Sequence, residues 1–301
     1  MIENIPSLPS FPPSGRERMP SWMKRSIPKG GRKSEIESHL QQCGLHTVCA
    51  EARCPNRAEC FSKGTATFLI LGDVCTRGCL FCSVNHGTPQ PPWEQEPQAL
   101  VEAVQQMGLS HVVITSVTRD DLADGGASHF VAVTRALHEQ LPAVTVELLI
   151  PDFGGDEQAL MSVLEQRPAV LNHNIETVPR LYASVRIGAD YHRSLQLLQR
   201  SAKYGMLVKS GLMVGLGEEP AEVEQTMHDI RESGCALLTI GQYLQPTDKQ
   251  LAVSSFVEPA QFEAYAKAGR AMGFSEVVAG PFVRSSYKAD ELLKLFNNKT
   301  L

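Results

Sequence analysis

The sequence predicts an α/β protein built on a parallel sheet, and three observations carry the prediction. Short apolar, β-branched runs recur at intervals of about thirty to forty residues. Helical stretches with apolar residues three to four apart lie between them. Polar or glycine-rich stretches directly follow the runs, as they do where loops at the carboxyl ends of parallel strands build a site. Six such βα units fit a doubly wound sheet or a barrel, and periodicity does not choose between them. The chain has 301 residues and is 43% hydrophobic, enough for a sizeable core in one large domain or two ordinary ones.

Residues 1–33 are rich in Pro, Ser, Arg and Lys and include Arg18-Met19-Pro20-Ser21-Trp22. Such a segment buries little and reads as an extended arm. Pro6, Pro9, Pro12 and Pro13 oppose the amphipathic helix of a transit peptide. Glu35 to Gln42 reads as a short helix, and Gly44 to Val48 leads on from it, with His46 either a ligand or a packing histidine. Thr65 to Leu71 is the first strand, and Pro97 to Met107 a helix stopped by Gly108. His111 to Ser116 is the second strand, followed by the polar loop Arg119 to Gly126 and a helix to about Gln140. Val144 to Ile150, Val170 to Ile175, Leu207 to Val214 and Leu237 to Tyr243 give the remaining strands. Before the sixth, Glu219-Pro220 opens a helix that Gly234 closes, with Val223, Met227 and Ile230 on its inward face. Near the end, Gly280 to Asp290 joins a strand-like run to a final helix.

Composition excludes several classes of function. A net charge of -5 leaves no basic footprint for nucleic acid. No run of eighteen apolar residues occurs to span a membrane, and the N-terminus lacks the apolar region of a secretory signal. Clustered thiols then point to metal in a reducing cytoplasm, with an imported organellar matrix as the alternative.

Six of the eight cysteines fall between positions 49 and 82. Cys75, Cys79 and Cys82 follow the first strand at the spacing C-x3-C-x2-C, and Cys49, Cys54 and Cys60 lie just upstream at C-x4-C-x5-C. Three thiolates on a four-iron cluster leave one iron open, and an open position is what a metal centre needs to bind a substrate. A zinc knuckle or a disulfide pair is the bland alternative for the later triplet.

The later triplet, with Phe81 before its last cysteine, resembles the signature of the radical S-adenosylmethionine enzymes. With the earlier triplet beside it, the chain resembles the lipoyl synthase family. The resemblance runs from roughly Trp22 to Ala289. It takes in Arg119 to Gly126, Asn172 to Thr177, Lys209 to Glu218, Gly241 to Pro246 and Arg284 to Tyr287, with no departure at a cluster ligand.

This resemblance implies a partial (β/α)6 barrel with N-terminal and C-terminal extensions. Its segments would be an arm over 1–33, an auxiliary-cluster segment over 34–64, the barrel over 65–275 and a closing tail over 276–301. It implies two 4Fe-4S clusters and S-adenosylmethionine, the cluster on Cys75, Cys79 and Cys82 splitting that cofactor to a 5'-deoxyadenosyl radical. The cluster on Cys49, Cys54, Cys60 and Ser286 would donate sulfur to C6 and C8 of an octanoyl-lysine. A hard oxygen ligand among thiolates suits a cluster that must come apart. Without the family, Ser286 reads simply as the N-cap of the last helix; with it, Arg284 would modulate the charge around that iron. The implied partners are octanoylated lipoyl carrier domains (2-oxoacid dehydrogenase E2 subunits and the glycine cleavage H protein), a flavodoxin- or ferredoxin-type electron donor and an iron-sulfur repair protein.

Candidate contacts to the cofactor are Phe81, Gly125, Gly126, Asn174, Glu176 and Arg186. For Gly125-Gly126 a close approach to ligand and a plain turn into a helix weigh equally. Arg186 and Lys209 are candidate partners for a carboxylate or structural charges, and His173 is equally ambiguous. Cys43 and Cys235 read as buried, inert thiols. Three readings compete: a tRNA methylthiotransferase, a biotin synthase-like enzyme, and a non-catalytic iron-sulfur or zinc module. The first would spread its cysteines over a separate domain, the second would take auxiliary ligands from later strands, where only Cys235 stands, and the third would make little use of six βα units.

Overall fold

The computed structural model describes residues 19–23, 44–51, 54, 56, 59, 60 and 66–300. The expected helix Glu35 to Gln42, Cys43 and most of the arm lie outside those residues.

Among the described residues the main sheet holds eight strands in an order that follows the chain, apart from a separate two-stranded pair. Strand β1 (His46–Thr47) runs antiparallel to β2 (Thr67–Ile70). The pair β3 (Val74–Cys75) and β4 (Asn85–His86) frames the cysteine loop. From β2 the sheet continues, all parallel, through β5 (His111–Ser116), β6 (Thr145–Leu149), β7 (Val170–Asn172), β8 (Val208–Val214), β9 (Leu237–Gln242) and β10 (Glu276–Gly280). A doubly wound sheet must reverse its strand order to place helices on both faces. This order never reverses, so right-handed crossovers put every helix on one side and the sheet curls. Strand β10 does not pair with β1 or β2, and the barrel stays open at that seam. The strand-like run before the tail is thus a seventh parallel strand, hydrogen-bonded to β9 along Glu276 to Gly280.

The helices follow their expected signals. A one-turn helix α1 (Val48–Glu51) follows β1. Helix α2 (Glu96–Met107) has Pro97 in its first turn and stops at Gly108, whose φ of 62° is the left-handed cap. Helix α3 (Ala127–Gln140) begins after Gly126. Asp156 caps α4 (Glu157–Leu164) by accepting from Gln158 and Ala159, and Asp190 caps α6 (Tyr191–Lys203) by accepting from Arg193. Between them stands α5 (Pro179–Val185). Pro220 and a Glu219/Glu222 capping box open α7 (Pro220–Glu232), which buries Val223, Met227 and Ile230 against the sheet. Helix α8 (Pro259–Ala271) completes the wall, and the last helix, α9 (Ala289–Thr300), contacts β5 and β10 and lines the smaller cavity with its first residues. Among the described residues no helix is long and apolar enough to cross a membrane.

Two strand ends depart from expectation. Leu71 leaves the first strand with φ 66° and turns the chain into the cysteine loop. The fourth strand ends at Asn172 because the ladder takes in an extra residue. His173 N donates to Lys209 O at 3.1 Å, but the next bond to β8 is made by Glu176 N to Gly211 O at 3.0 Å. That is a bulge, with Glu176 at φ 72°.

Candidate functional site

The loop bearing Cys75, Cys79 and Cys82 is tied down on both sides. Thr76 donates through N and Oγ1 to Thr118 O, each at 3.0 Å, and Thr118 N donates to Cys75 Sγ at 3.3 Å. Further along, Leu80 N donates to Val185 O and Leu80 O accepts from Leu251 N, both at 3.0 Å. Arg77, between the first two cysteines, donates to both Asp120 oxygens and to Asp152 Oδ1, all at 2.7 Å. Arg193 reaches the other Asp152 oxygen at 3.2 Å. Burial raises the Asp152 carboxyl, but the hydrogen bond and charge of Arg77 outweigh it and hold the group at about 2. Spacing alone could not have found these acids, because they come from the loops after β5 and β6.

Burial pushes the Cys79 thiol up to about 12, against the opposing charge of Arg186, and the Cys82 thiol up to about 11. Sulfurs in that state are poor nucleophiles by themselves; a bound metal is what converts them to thiolates. None of the described cysteines is in a disulfide. Among the described residues no group of three His, Cys, Asp or Glu side chains is placed to hold a single metal ion.

A cavity of about 550 Å³ opens beside this loop and runs through the barrel. All three loop cysteines line it, and so do Cys49 and Cys54 from the earlier triplet. Cys60 lies at a second, smaller cavity of about 130 Å³ that shares Cys49, Cys54 and Ser286 with the first. The two triplets therefore flank one internal space. The tail crosses the open seam to reach it. Thr67 Oγ1, at the start of β2, donates to Ser286 Oγ at 2.8 Å, Asn56 Nδ2 donates to Phe282 O at 2.7 Å, and Tyr287 OH donates to Glu59 Oε1 at 3.0 Å. Gly241 makes room for this crossing, since a Cβ there would lie 2.1 Å from Val283 O.

Opposite the cysteine loop, the bulge after β7 presents Asn174 and Glu176 to the cavity, joined by a 3.0 Å hydrogen bond from Asn174 Nδ2 to Glu176 Oε1. Burial raises the Glu176 carboxyl, against the Arg186 charge. Arg186 Nη1 donates to Asn174 O at 2.9 Å and to Tyr182 OH. Asn174 Oδ1 is buried with no hydrogen-bond partner among the described residues. Gly211 faces it, and a Cβ there would come within 2.7 Å of that oxygen. An orphaned acceptor above a glycine floor, with a carboxyl and a guanidinium beside it, fits a polar ligand carrying hydroxyl or amino donors and a carboxylate.

Phe81, Asn174, Glu176, Arg186 and Ser286 thus line the cavity with the cysteines. Gly125 and Gly126 do not. A Cβ at Gly125 would meet Phe153 and one at Gly126 would meet Leu71, at the turn into α3. Lys209 lies below the cavity, 99% buried and 2.8 Å from Glu147 Oε1, where it is a structural charge. His173 is wholly buried off the cavity; its Nδ1–H donates to Ile150 O at 2.8 Å, and burial lowers its pKa to about 4, leaving it neutral. His46 lies 3.3 Å from Glu51, and Cys235 is buried against backbone carbonyls.

Comparison with known proteins places this geometry. Residues 69–230 match the model of the radical SAM superfamily, and residues 10–54 match the N-terminal domain of lipoyl synthase. The chain is 52% identical over 277 residues to the lipoyl synthase of Desulfotalea psychrophila, covering 91% of this chain and 93% of that one. It is 51% identical over 280 residues to the lipoyl synthase of Caldanaerobacter subterraneus, covering 92% and 98%. Among solved structures, methylornithine synthase (PylB) aligns with TM-score 0.55 at 14% identity, covering 79% of this chain and 73% of that one. Coproporphyrinogen III oxidase (HemN) from Escherichia coli aligns with TM-score 0.50 at 13% identity, covering 68% and 52%. These structural likenesses bear on the fold, a curled parallel sheet with its cysteine loop after the first strand.

Proposed function

This chain belongs to the lipoyl synthase family of radical S-adenosylmethionine enzymes, and on that premise we propose that it inserts two sulfur atoms, at C6 and C8, into an octanoyl chain carried as an amide on a lysine of a lipoyl carrier domain. The observation that supports the reading best is that the later thiol triplet and Cys49 and Cys54 of the earlier one line one internal cavity, with the tail serine hydrogen-bonded at its seam. Carbons 6 and 8 bear no acidic hydrogen, so an acid or base cannot activate them, and the difficult step falls to the cofactors.

In this reading Cys75, Cys79 and Cys82 hold one 4Fe-4S cluster, and Cys49, Cys54, Cys60 and Ser286 hold the other. When bound, the two clusters and S-adenosylmethionine supply the electron, the radical chemistry and the sulfur. The chain's own residues bind and orient. Asn174 and Glu176 take the cofactor's sugar, Arg186 offers its charge to a carboxylate, and Phe81 packs beside the cluster loop. Apolar wall residues such as Leu69, Leu149 and Leu212 accept the acyl chain and keep water out. The barrel over 65–275 carries the radical chemistry, and the segments 34–64 and 276–301 close the auxiliary site. Of the arm over 1–33, Met19 lines the cavity. The partners are octanoylated E2 and H-protein carriers, a flavodoxin- or ferredoxin-type electron donor and an iron-sulfur repair protein, in the cytoplasm.

The test is intact-mass spectrometry of an octanoyl-lysyl carrier peptide after anaerobic incubation with reconstituted protein, S-adenosylmethionine and a strong reductant. A gain of two sulfurs with loss of two hydrogens is the expected result. An unchanged peptide with deoxyadenosine formed would retain the radical chemistry and reject the substrate.

A further inference from the structure

Several buried polar groups play no part in the chemistry above; two of them bond one residue, and a third holds one of those two. Leu71 stands at the end of β2 with φ 66°, a left-handed conformation that a leucine avoids. Its N–H donates to Glu96 Oε2 at 2.9 Å, and its carbonyl accepts from Arg119 Nη1 at 3.3 Å. The same Glu96 oxygen lies 2.6 Å from His129 Nε2. Arg119 is held in turn by both Asp121 oxygens at 2.8 Å. Glu96, His129 and Arg119 are 3%, 9% and 1% exposed. Gly126 belongs to the same arrangement, since a Cβ there would lie 2.5 Å from Leu71 Cδ1.

Burying a carboxylate, an imidazole and a guanidinium costs free energy that apolar residues of the same size would not incur. Here Glu96 and Arg119 hold the two peptide groups that flank one strained residue, four residues before Cys75, and His129 holds Glu96. The direction in which the chain leaves Leu71 sets where the cysteine loop begins.

We infer that Glu96, His129 and Arg119 are positioning residues which clamp Leu71 in its left-handed conformation and thereby aim the loop of Cys75, Cys79 and Cys82 at the cavity. The inference rests on the reading of that loop as the seat of the radical cluster. None of the three touches the cluster or S-adenosylmethionine; each acts through Leu71.

The test compares Glu96→Ala and Glu96→Gln with the parent in the full chain, reconstituted with iron and sulfide. Glu96→Gln keeps an oxygen to accept from Leu71 N, whereas Glu96→Ala keeps none. Hydrogen exchange of the segment 70–75 should speed up about tenfold in Glu96→Ala. The Michaelis constant for S-adenosylmethionine should rise by a similar factor, and the change that S-adenosylmethionine induces in the reduced cluster's electron paramagnetic resonance spectrum should broaden or vanish. Glu96→Gln should restore most of each. Should Glu96→Ala fail to fold, Arg119→Gln makes the same test, because it withdraws the guanidinium that donates to Leu71 O. Unchanged exchange and an unchanged Michaelis constant in a folded variant overturn the inference. So does an exchange increase spread evenly over the barrel, which would make the pair an ordinary core contact. A parent protein that forms no deoxyadenosine would reject the functional reading instead, and the exchange measurement would still decide whether the clamp exists.

Discussion

Replacing Gly241 by alanine separates the two halves of the proposed reaction. The position lies in β9 and its backbone suits any residue, so the cost is steric. A Cβ there would sit 2.1 Å from Val283 O and 3.1 Å from Val283 C, and both are backbone atoms that no rotamer change can move away. An ordinary carbon-to-oxygen contact is about 3.3 Å, so the tail must retreat by roughly 1 Å. Ser286 lies three residues further on, held to Thr67 at 2.8 Å. A retreat of that size breaks this bond and draws the serine off the auxiliary site. The strain of such overpacking is about 1–3 kcal/mol, which a barrel of this size survives. A 1 Å misplacement can lower a positioned reaction about 10²-fold. Deoxyadenosine formation should therefore stay within about twofold of the parent, while sulfur gain by the carrier peptide falls about 10²-fold. Both are read from one anaerobic reaction, by chromatography and intact mass. Full sulfur gain in a folded Gly241→Ala protein would refute the reasoning, because the tail's path would then not govern the auxiliary site.

Other consequences follow from the same geometry. Cys79→Ala should abolish cleavage of S-adenosylmethionine, whereas Cys54→Ala should leave cleavage intact and abolish sulfur transfer; equal loss of cleavage in both folded variants would reject the division between triplets. Lys209→Met should destabilise the fold by about 3–5 kcal/mol by stranding Glu147, and adding Glu147→Leu should recover most of that, as denaturant titration would show. The folded Lys209→Met protein should keep the parent's affinity for S-adenosylmethionine, because Lys209 lies outside the cavity. Asp152, held at about 2 by Arg77, contributes stability that is present above the ordinary carboxylate range and lost as pH falls through about 2. Asp152→Asn should therefore lower stability at neutral pH by on the order of 2 kcal/mol, with a flatter dependence on pH in the acid range. A parallel pair of pH-stability curves would count against the Arg77 contact.

What could be read from the sequence was whatever is encoded locally. Cysteine spacing, the Pro and Gly that bound α2 and α7, and the apolar runs of the sheet each depend on residues a few positions apart. Asn174, Glu176 and Arg186 were legible as candidates because they stand where strands and helices end. What spacing could not resolve was partnership across the chain. Lys209 meets Glu147 from 62 residues away and thereby becomes a structural charge. Gly126 packs against Leu71, and Glu96 meets His129 across 33 residues. The left-handed backbone at Leu71 and Glu176 was equally hidden, since neither residue type asks for it. Three-dimensional closure decides those conformations, and a linear pattern carries no trace of it.

The open barrel gives this arrangement its logic. A closed barrel would pair its first and last parallel strands and leave no gap through which another segment could reach the interior. Here β10 stops short of β2, and the gap is bridged by side chains instead: Thr67 to Ser286, Asn56 to Phe282 and Glu59 to Tyr287. The earlier cysteine triplet and the tail serine meet at that seam, while the later triplet sits on the loop beyond the carboxyl end of β2. The earlier site is thus joined to the sheet through the two-residue β1–β2 pairing and to the tail by hydrogen bonds across the gap, whereas the later one is tied to the loops after β5 and β6 by Thr76 and Arg77 and to the end of β2 by the clamp on Leu71. On the proposed reading, a cluster that yields its sulfur and is rebuilt suits that seam, because the hydrogen bonds from Thr67 to Ser286, Asn56 to Phe282 and Tyr287 to Glu59 can break without unpairing a strand.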